Sequence, residues 1–151
     1  MAADRSYVAE NRAQLERLRA LTKKLSDQQL AASMEAGWTV AAVLAHLAFW
    51  DQRIVLLVDQ WAGGRGTPPA AYDGASVDWI NDAGKLLCLA LPPRVAARMA
   101  IEAAEAADER VAGLSEAQLT ANVAAGRPIS VLRAEHRREH LDEIERALSA
   151  R

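Results

Sequence analysis

The stretch GWTVAAVLAHLAFWDQRI, residues 37–54, and its counterpart GRPISVLRAEHRREHLDEIERAL, residues 126–148, decide the fold of this chain. Both have apolar residues at intervals of three and four, the spacing of an amphipathic helix. All three histidines of the protein, His46, His136 and His140, lie on the apolar sides of these two predicted helices. Three imidazoles that point toward one shared core would suit a metal ion.

The two stretches belong to a diverged internal repeat. Each follows a similar six-residue motif, LSDQQL at residues 25–30 and LSEAQL at residues 114–119. In both copies a glycine, Gly37 or Gly126, stands twelve residues after the first leucine and precedes the histidine helix. Two such αα-hairpins would pack as a four-helix bundle with an approximate two-fold axis. The sequence therefore predicts an all-α fold.

Caps, glycines and prolines set the other predicted boundaries. Helices are expected at about residues 5–24, 40–61, from 76 to the prolines at 92 and 93, and from there to 111 or 112. Ser26 or Asp27 would cap the short turn after the first helix, and Thr39 would cap the second. Residues 62–75, AGGRGTPPAAYDGA, are predicted to form a flexible crossover, because no GK[ST] element follows the glycines.

Composition narrows the classes of function. At 151 residues the chain is expected to form one domain, residues 1–151. Its 18 basic and 20 acidic residues give a net charge of −2, so we expect no nucleic-acid partner. The polar N-terminus and the lack of a long uncharged apolar run predict no signal peptide and no membrane partner. With a single cysteine, Cys88, in an apolar setting, the plain expectation is a cytoplasmic protein.

Alternatives to a metal site are open for the C-terminal histidine pair. Steps of three and four place the pair on the predicted core stripe, with Ile129, Leu132 and Ile144. The solvent side is expected to hold Arg133, Arg137, Arg138 and Glu145. An HxxxH pair alone is weak evidence, because carboxylates such as Glu139 or Asp142 could satisfy both rings. A third imidazole, His46, in the matching half of the repeat favours a metal.

The sequence also resembles a known family. GWTVAAVLAHLAFWD, the central segment Asp78-Trp79-Ile80-Asn81 and HRREHLDEIERAL are similar to the DinB/YfiT-like superfamily of metal-binding four-helix bundles. The resemblance spans about residues 8–148, and its most specific part is W-T-x-x-x-x-L-x-H-L followed some ninety residues later by H-x-x-x-H. It implies a divalent ion, zinc, nickel or iron, held by His46, His136 and His140 and by water.

The resemblance implies a chemistry as well. Members with known reactions include mycothiol-dependent maleylpyruvate isomerase and bacillithiol S-transferases, so we expect a low-molecular-weight-thiol-dependent transferase or isomerase acting on a small molecule. Further pocket or supporting residues would be Trp50, Asp51, Asp78 and Asn81, although surface capping or solvation is the simpler role for each polar one and core packing for Trp50. Cys88 is left out of the site because no base or cation adjoins it.

Two classes of function therefore stand. One is a metalloenzyme with an open coordination position. The other is a non-enzymatic metal-binding stress protein in which the ion ties the two hairpins together. The third alternative is a metal-free helical dimer that has the family fold and a decayed site. The family and the alanine-rich helix after Pro93 also suggest a homodimer.

Overall fold

A computed structural model of the protein describes residues 2–63 and 72–151. In chain order the elements are α1 (Tyr7–Lys24), α2 (Asp27–Leu30), a 3-10 turn (Glu35–Gly37), α3 (Val40–Ala62), α4 (Gly74–Ala90), α5 (Pro93–Ala112), α6 (Glu116–Ala124) and α7 (Ala134–Ser149). The protein is all-α, 77% helical, with no strand in the described ranges. Most of the crossover predicted at residues 62–75 lies outside the described residues.

Four helices, α1, α3, α5 and α7, pack around the main core. The closest packing is between α3 and α5, where α5 presents buried alanines to its neighbours: Ala96, Ala97, Ala100, Ala103, Ala104 and Ala107. Such small side chains let two helix backbones approach closely, while α1 closes the bundle against α5 and α7. The alanine-rich helix that suggested a dimer thus buries its alanines within the chain.

The internal repeat is visible in the local backbone. Ser26 and Ser115 each accept a hydrogen bond from the backbone N–H of a glutamine three residues later, and each glutamine returns a bond, forming two capping boxes. At each repeat glycine the chain takes two successive left-handed residues, Ala36-Gly37 and Gly126-Arg127. The capping boxes and the turns agree with the predicted repeat, although the glycine is the second residue of the first turn and the first residue of the second.

The second histidine helix begins later than the sequence pattern suggested. The backbone N–H and the carbonyl of Ile129 are hydrogen-bonded to the side chain of Asn122, at 3.0 and 2.8 Å. These two bonds keep Ile129 out of a helical conformation. Helix α7 starts only at Ala134. The prediction that put Ile129 and Leu132 on the helical stripe is therefore wrong, although Ile129 is buried.

The prediction that Arg133 and Arg137 face solvent is also wrong. Its buried residues are Ala134, Arg137, Leu141 and Ile144, and Arg133 just before the helix is buried as well. Arg138 and Glu145 are exposed, as predicted. The two arginines can lie inside because buried Asp51 on α3 and half-buried Asp108 on α5 neutralise them.

Helix α4 packs on α3 at the edge of the main core. It contains no buried residue, and its apolar side chains include Trp79, Leu86 and Leu87, which are 80, 77 and 74% exposed. The three most exposed large apolar side chains among the described residues are therefore on α4. The homodimer stays a prediction.

Helix α3 is apolar and long enough to cross a membrane by length and composition alone. Its most apolar 18-residue window has a mean hydropathy of 1.5, and 72% of that window is buried inside the bundle. A central helix surrounded by other helices has the same composition, so this is weak evidence for a membrane span. Among the described residues no other helix reaches this threshold.

Candidate metal centre

The three histidines meet at one end of the bundle. His46 projects from α3, while His136 and His140 project from successive turns of α7. Nε2 of His136 lies 3.1 Å from Nε2 of His46 and 3.2 Å from Nε2 of His140. One nitrogen of each ring lies within 4.8 Å of the other two, so the predicted triad is brought together.

The donor set fits a divalent cation. Nitrogens bound at 2.0–2.1 Å to one tetrahedral ion would lie roughly 3.3 Å apart, close to the two separations of 3.1 and 3.2 Å that involve His136. Without a cation the rings cannot satisfy one another, because the single lone pair of His136 Nε2 faces two imidazole nitrogens. In the described parts of the chain no fourth histidine, cysteine or carboxylate joins the cluster.

The surroundings keep two of the rings neutral, the form that binds metals. Burial lowers the pKa of His46 to about 4, helped by the charge of His140. Burial likewise lowers the pKa of His136 to about 2, with smaller effects from His140 and Arg133. A neutral imidazole offers a lone pair at neutral pH, so protons compete little for these two ligands.

A carboxylate orients the third ring. Glu143 Oε2 lies 2.7 Å from Nδ1 of His140. When Nδ1 donates to this carboxylate, Nε2 of the neutral ring is unprotonated and its lone pair points into the cluster. Sequence reasoning named Glu139 and Asp142 as partners instead. Asp142 pairs with Arg17, and the signal that could have found Glu143 is its i+3 spacing from His140.

The triad opens onto a cavity of about 1230 Å³ between α3, α4 and α7. Trp38 and Trp50 stand edge-on to His46, with ring centroids 5.8 and 6.5 Å away. Nε1 of Trp50 donates a hydrogen bond of 3.0 Å to Oδ1 of Asn81 on α4. Asp78 also lines the cavity, so three of the four predicted pocket residues, Trp50, Asp78 and Asn81, face it.

The fourth predicted residue, Asp51, does not line this cavity. It is 1% exposed and accepts hydrogen bonds from Arg133 Nε at 2.8 Å and from Arg137 Nε at 3.0 Å. Asp51 therefore neither caps a helix at the surface nor supports a histidine, the two roles considered for it from the sequence. Asp51 instead anchors a buried ionic network behind the histidines.

Asp108 of α5 completes this network by pairing with both terminal nitrogens of Arg137, at 2.8 and 3.0 Å. Burial raises the pKa of Asp108, and the bond to Arg137 opposes that rise. Asn11 of α1 adds its backbone carbonyl to Arg137 and its side-chain oxygen to the N–H of Ala134. The network fixes α7, and hence two histidines, against the other three bundle helices.

Cys88 is half-buried on α4 and packs against the main core. Burial raises the pKa of its thiol, so the thiolate form is disfavoured. It is not among the residues that line the cavity.

Comparison with curated proteins and with solved structures finds no significant match. A family model, described as the DinB superfamily, matches residues 10–144. That match covers the greater part of the chain, including all three histidines, and it agrees with the helical fold. The chain belongs to the DinB superfamily.

Proposed function

We propose that this protein is a divalent-metal-dependent enzyme whose ion is held by His46, His136 and His140. Zinc, nickel and iron are the candidate ions. The reaction we propose is a transfer or isomerisation that depends on a low-molecular-weight thiol such as mycothiol or bacillithiol. A small molecule would be the substrate, and the cytoplasm the site of action.

The observation that carries this proposal is the position of the triad on the wall of a large cavity. A structural zinc-type site is closed by a fourth protein ligand, whereas a catalytic one has three protein ligands and an open position. Here three imidazoles converge, and the cavity supplies the space that a ligand would need on the remaining side. This favours an enzyme over a protein in which the ion only ties the helices together.

The bound ion would supply Lewis-acid chemistry, favouring the thiolate of a cofactor or lowering the pKa of a water molecule. The residues of the chain would position the reactants. Glu143 holds the ring of His140, and Asn81 holds the indole of Trp50 across the cavity. Trp38 and Trp50 cover the edges of His46 and would limit access of water.

The first test is metal analysis of untagged protein purified without added metal. We expect about one equivalent of a divalent ion, lost in His46→Ala and in His136→Ala. Asp82→Ala is the matched control, because Asp82 lines the same cavity but is exposed on α4. If no ion copurifies and neither zinc, nickel nor iron(II) binds at neutral pH, the metalloenzyme proposal is wrong.

A second experiment separates the enzyme from the structural alternative. Cobalt-loaded protein is titrated with small thiols, and the absorption band of a thiolate–cobalt bond is recorded. An enzyme with an open position should show this band without release of the ion. A closed structural site should show no band.

A further inference from the structure

Two buried arginines hold Asp51, and they differ in how their donors are used. Arg137 makes five hydrogen bonds: Nε to Asp51, Nη1 to Asn11 O and Asp108, and Nη2 to Ala104 O and Asp108. A guanidinium has five N–H donors, so Arg137 is saturated. Arg133 bonds Asp51 through Nε at 2.8 Å, and its Nη1 and Nη2 have no partner in the two described ranges.

The second relevant feature of Arg133 is its position at the cavity. Arg133 is only 6% exposed, yet it is one of the residues that line the cavity with the histidines. It precedes His136 by three residues and His140 by seven, and its own backbone is helical. Those spacings place all three side chains along one face, successive ones roughly 5–6 Å apart at their Cβ atoms.

We propose that Nη1 and Nη2 of Arg133 bind a carboxylate of the ligand whose other end meets the three-histidine site. Both terminal nitrogens keep some exposure to solvent, so a bound carboxylate could reach them and accept hydrogen bonds from both at once. The planar fork of a guanidinium matches the two oxygens of a carboxylate. The inference rests on the proposed function only in one respect, namely that the other end of the ligand binds at the three histidines.

The charges around the cavity favour a carboxylate over a phosphate. Five acidic residues line it, against three arginines: Glu35, Asp78, Asp82, Glu139 and Glu143, and Arg133, Arg146 and Arg151. A singly charged carboxylate is therefore repelled less than a doubly charged phosphate, while Asp51 fixes the fork of Arg133 in place.

The test compares two thiols that differ in one group. 3-Mercaptopropionate and the neutral 3-mercaptopropanamide are titrated into cobalt-loaded protein, and dissociation constants are read from the thiolate–cobalt band. We expect the carboxylate to bind about 10-fold to 100-fold more tightly, the value of one charge-assisted hydrogen bond or more. Equal affinities in the wild-type protein would overturn the inference and leave the metal proposal standing.

Variants then assign the preference to one side chain. Arg133→Gln should reduce the ratio of the two affinities to about one, and Arg133→Lys, which keeps the charge but loses the fork, should leave an intermediate ratio. Arg146→Gln is the matched control, since Arg146 lines the same cavity and is exposed. A ratio that persists in Arg133→Lys at its full value, with the ion still bound, contradicts the role of the fork.

A metal-free measurement separates this inference from the metal proposal. The Nε–H resonance of Arg133, identified by its loss in Arg133→Lys, is followed as propionate or propanamide is added to chelator-treated protein. Propionate should shift it and propanamide should not. That result would support the carboxylate site even if no ion binds, and identical responses would overturn it.

Discussion

Asp51 and Arg137 lie 86 residues apart in the chain, yet Oδ2 of Asp51 accepts a 3.0 Å hydrogen bond from Nε of Arg137 inside the bundle. Asp51 is 1% exposed and Arg137 is fully buried. The bond joins α3 to α7, the two helices that carry the histidines. The candidate metal centre is therefore built against an ionic contact that it does not itself include.

Asp51→Ala should lower the free energy of unfolding by about 3–5 kcal/mol, because two buried guanidinium groups lose a carboxylate partner. Urea denaturation measures the loss. Asp59→Ala on the same helix is the control: its carboxylate pairs with Arg110 at the surface, so the midpoint should hardly move. Similar losses in the two variants would show that the buried network does not support the bundle.

Glu143→Gln should weaken metal binding by about 10-fold to 100-fold, the usual effect of removing the partner that orients a ligating histidine. The amide cannot accept the Nδ1 proton of His140 as strongly as a carboxylate does. Competition with a coloured chelator measures the affinity. Glu145→Gln is the control, because Glu145 lies two residues further along α7 and pairs with Arg17. This variant should bind the metal as tightly as the wild type does.

The metal-free protein should lose stability as the pH falls below about 6.5. Folded His46 and His136 have pKa values lowered to about 4 and about 2, whereas the unfolded chain takes up protons near the ordinary value of 6.5. Below 6.5 the unfolded state binds more protons, so each group removes up to about 1.4 kcal/mol per pH unit until its folded pKa is reached.

Urea titrations at several pH values, in the presence of a chelator, measure this slope. His136→Asn removes one of the two groups, so its slope between pH 6 and about 4 should be shallower than that of the wild type. An unchanged slope would mean that the folded protein protonates His136 easily.

Two glycines should respond to alanine with opposite signs. Gly126 has φ +82, where an L side chain is strained, so Gly126→Ala should cost about 1–2 kcal/mol. Gly84 lies within α4 and a Cβ there meets nothing within 4 Å, so Gly84→Ala should stabilise by about 0.5–1 kcal/mol. Thermal unfolding of the pair checks both signs.

Helix α4 should exchange its amide hydrogens faster than α3 or α5, because none of its residues is buried. Asn81→Ala removes the bond from Trp50 that links α4 to α3, and it should speed exchange in α4 further while leaving α1 unchanged. Hydrogen exchange with mass spectrometry resolves the two helices. Equal protection of α4 and α5 would contradict this expectation.

Much of the fold was predictable because it depends on local rules. The bounds of α1, α3 and α5 follow from apolar spacing, from the cap at Thr39 and from Pro93 at the first turn of α5. The two capping boxes are sequence motifs in themselves. The histidine cluster was also predictable. Helical spacing places each ring on the core-facing side of its helix, and the internal repeat indicates that the two core-facing sides meet.

The buried ions were not predictable in this way. Helical periodicity assigns every arginine to solvent, and Arg137 is inside only because Asp51 and Asp108 approach it from other helices. The late start of α7 has a similar cause, since the side chain of Asn122 captures the backbone of Ile129. Contacts between distant parts of the chain decide these cases, and no local pattern records them.

The division of the triad between the two repeats also sets when the site can exist during synthesis. His46 is made early, but its two companions lie at positions 136 and 140, close to the last residues of the matched family region. A nascent chain emerging from the ribosome therefore presents one imidazole until residues 136–140 have been translated. Ion capture would then be a late event, coupled to the docking of α7 rather than to the folding of the first hairpin.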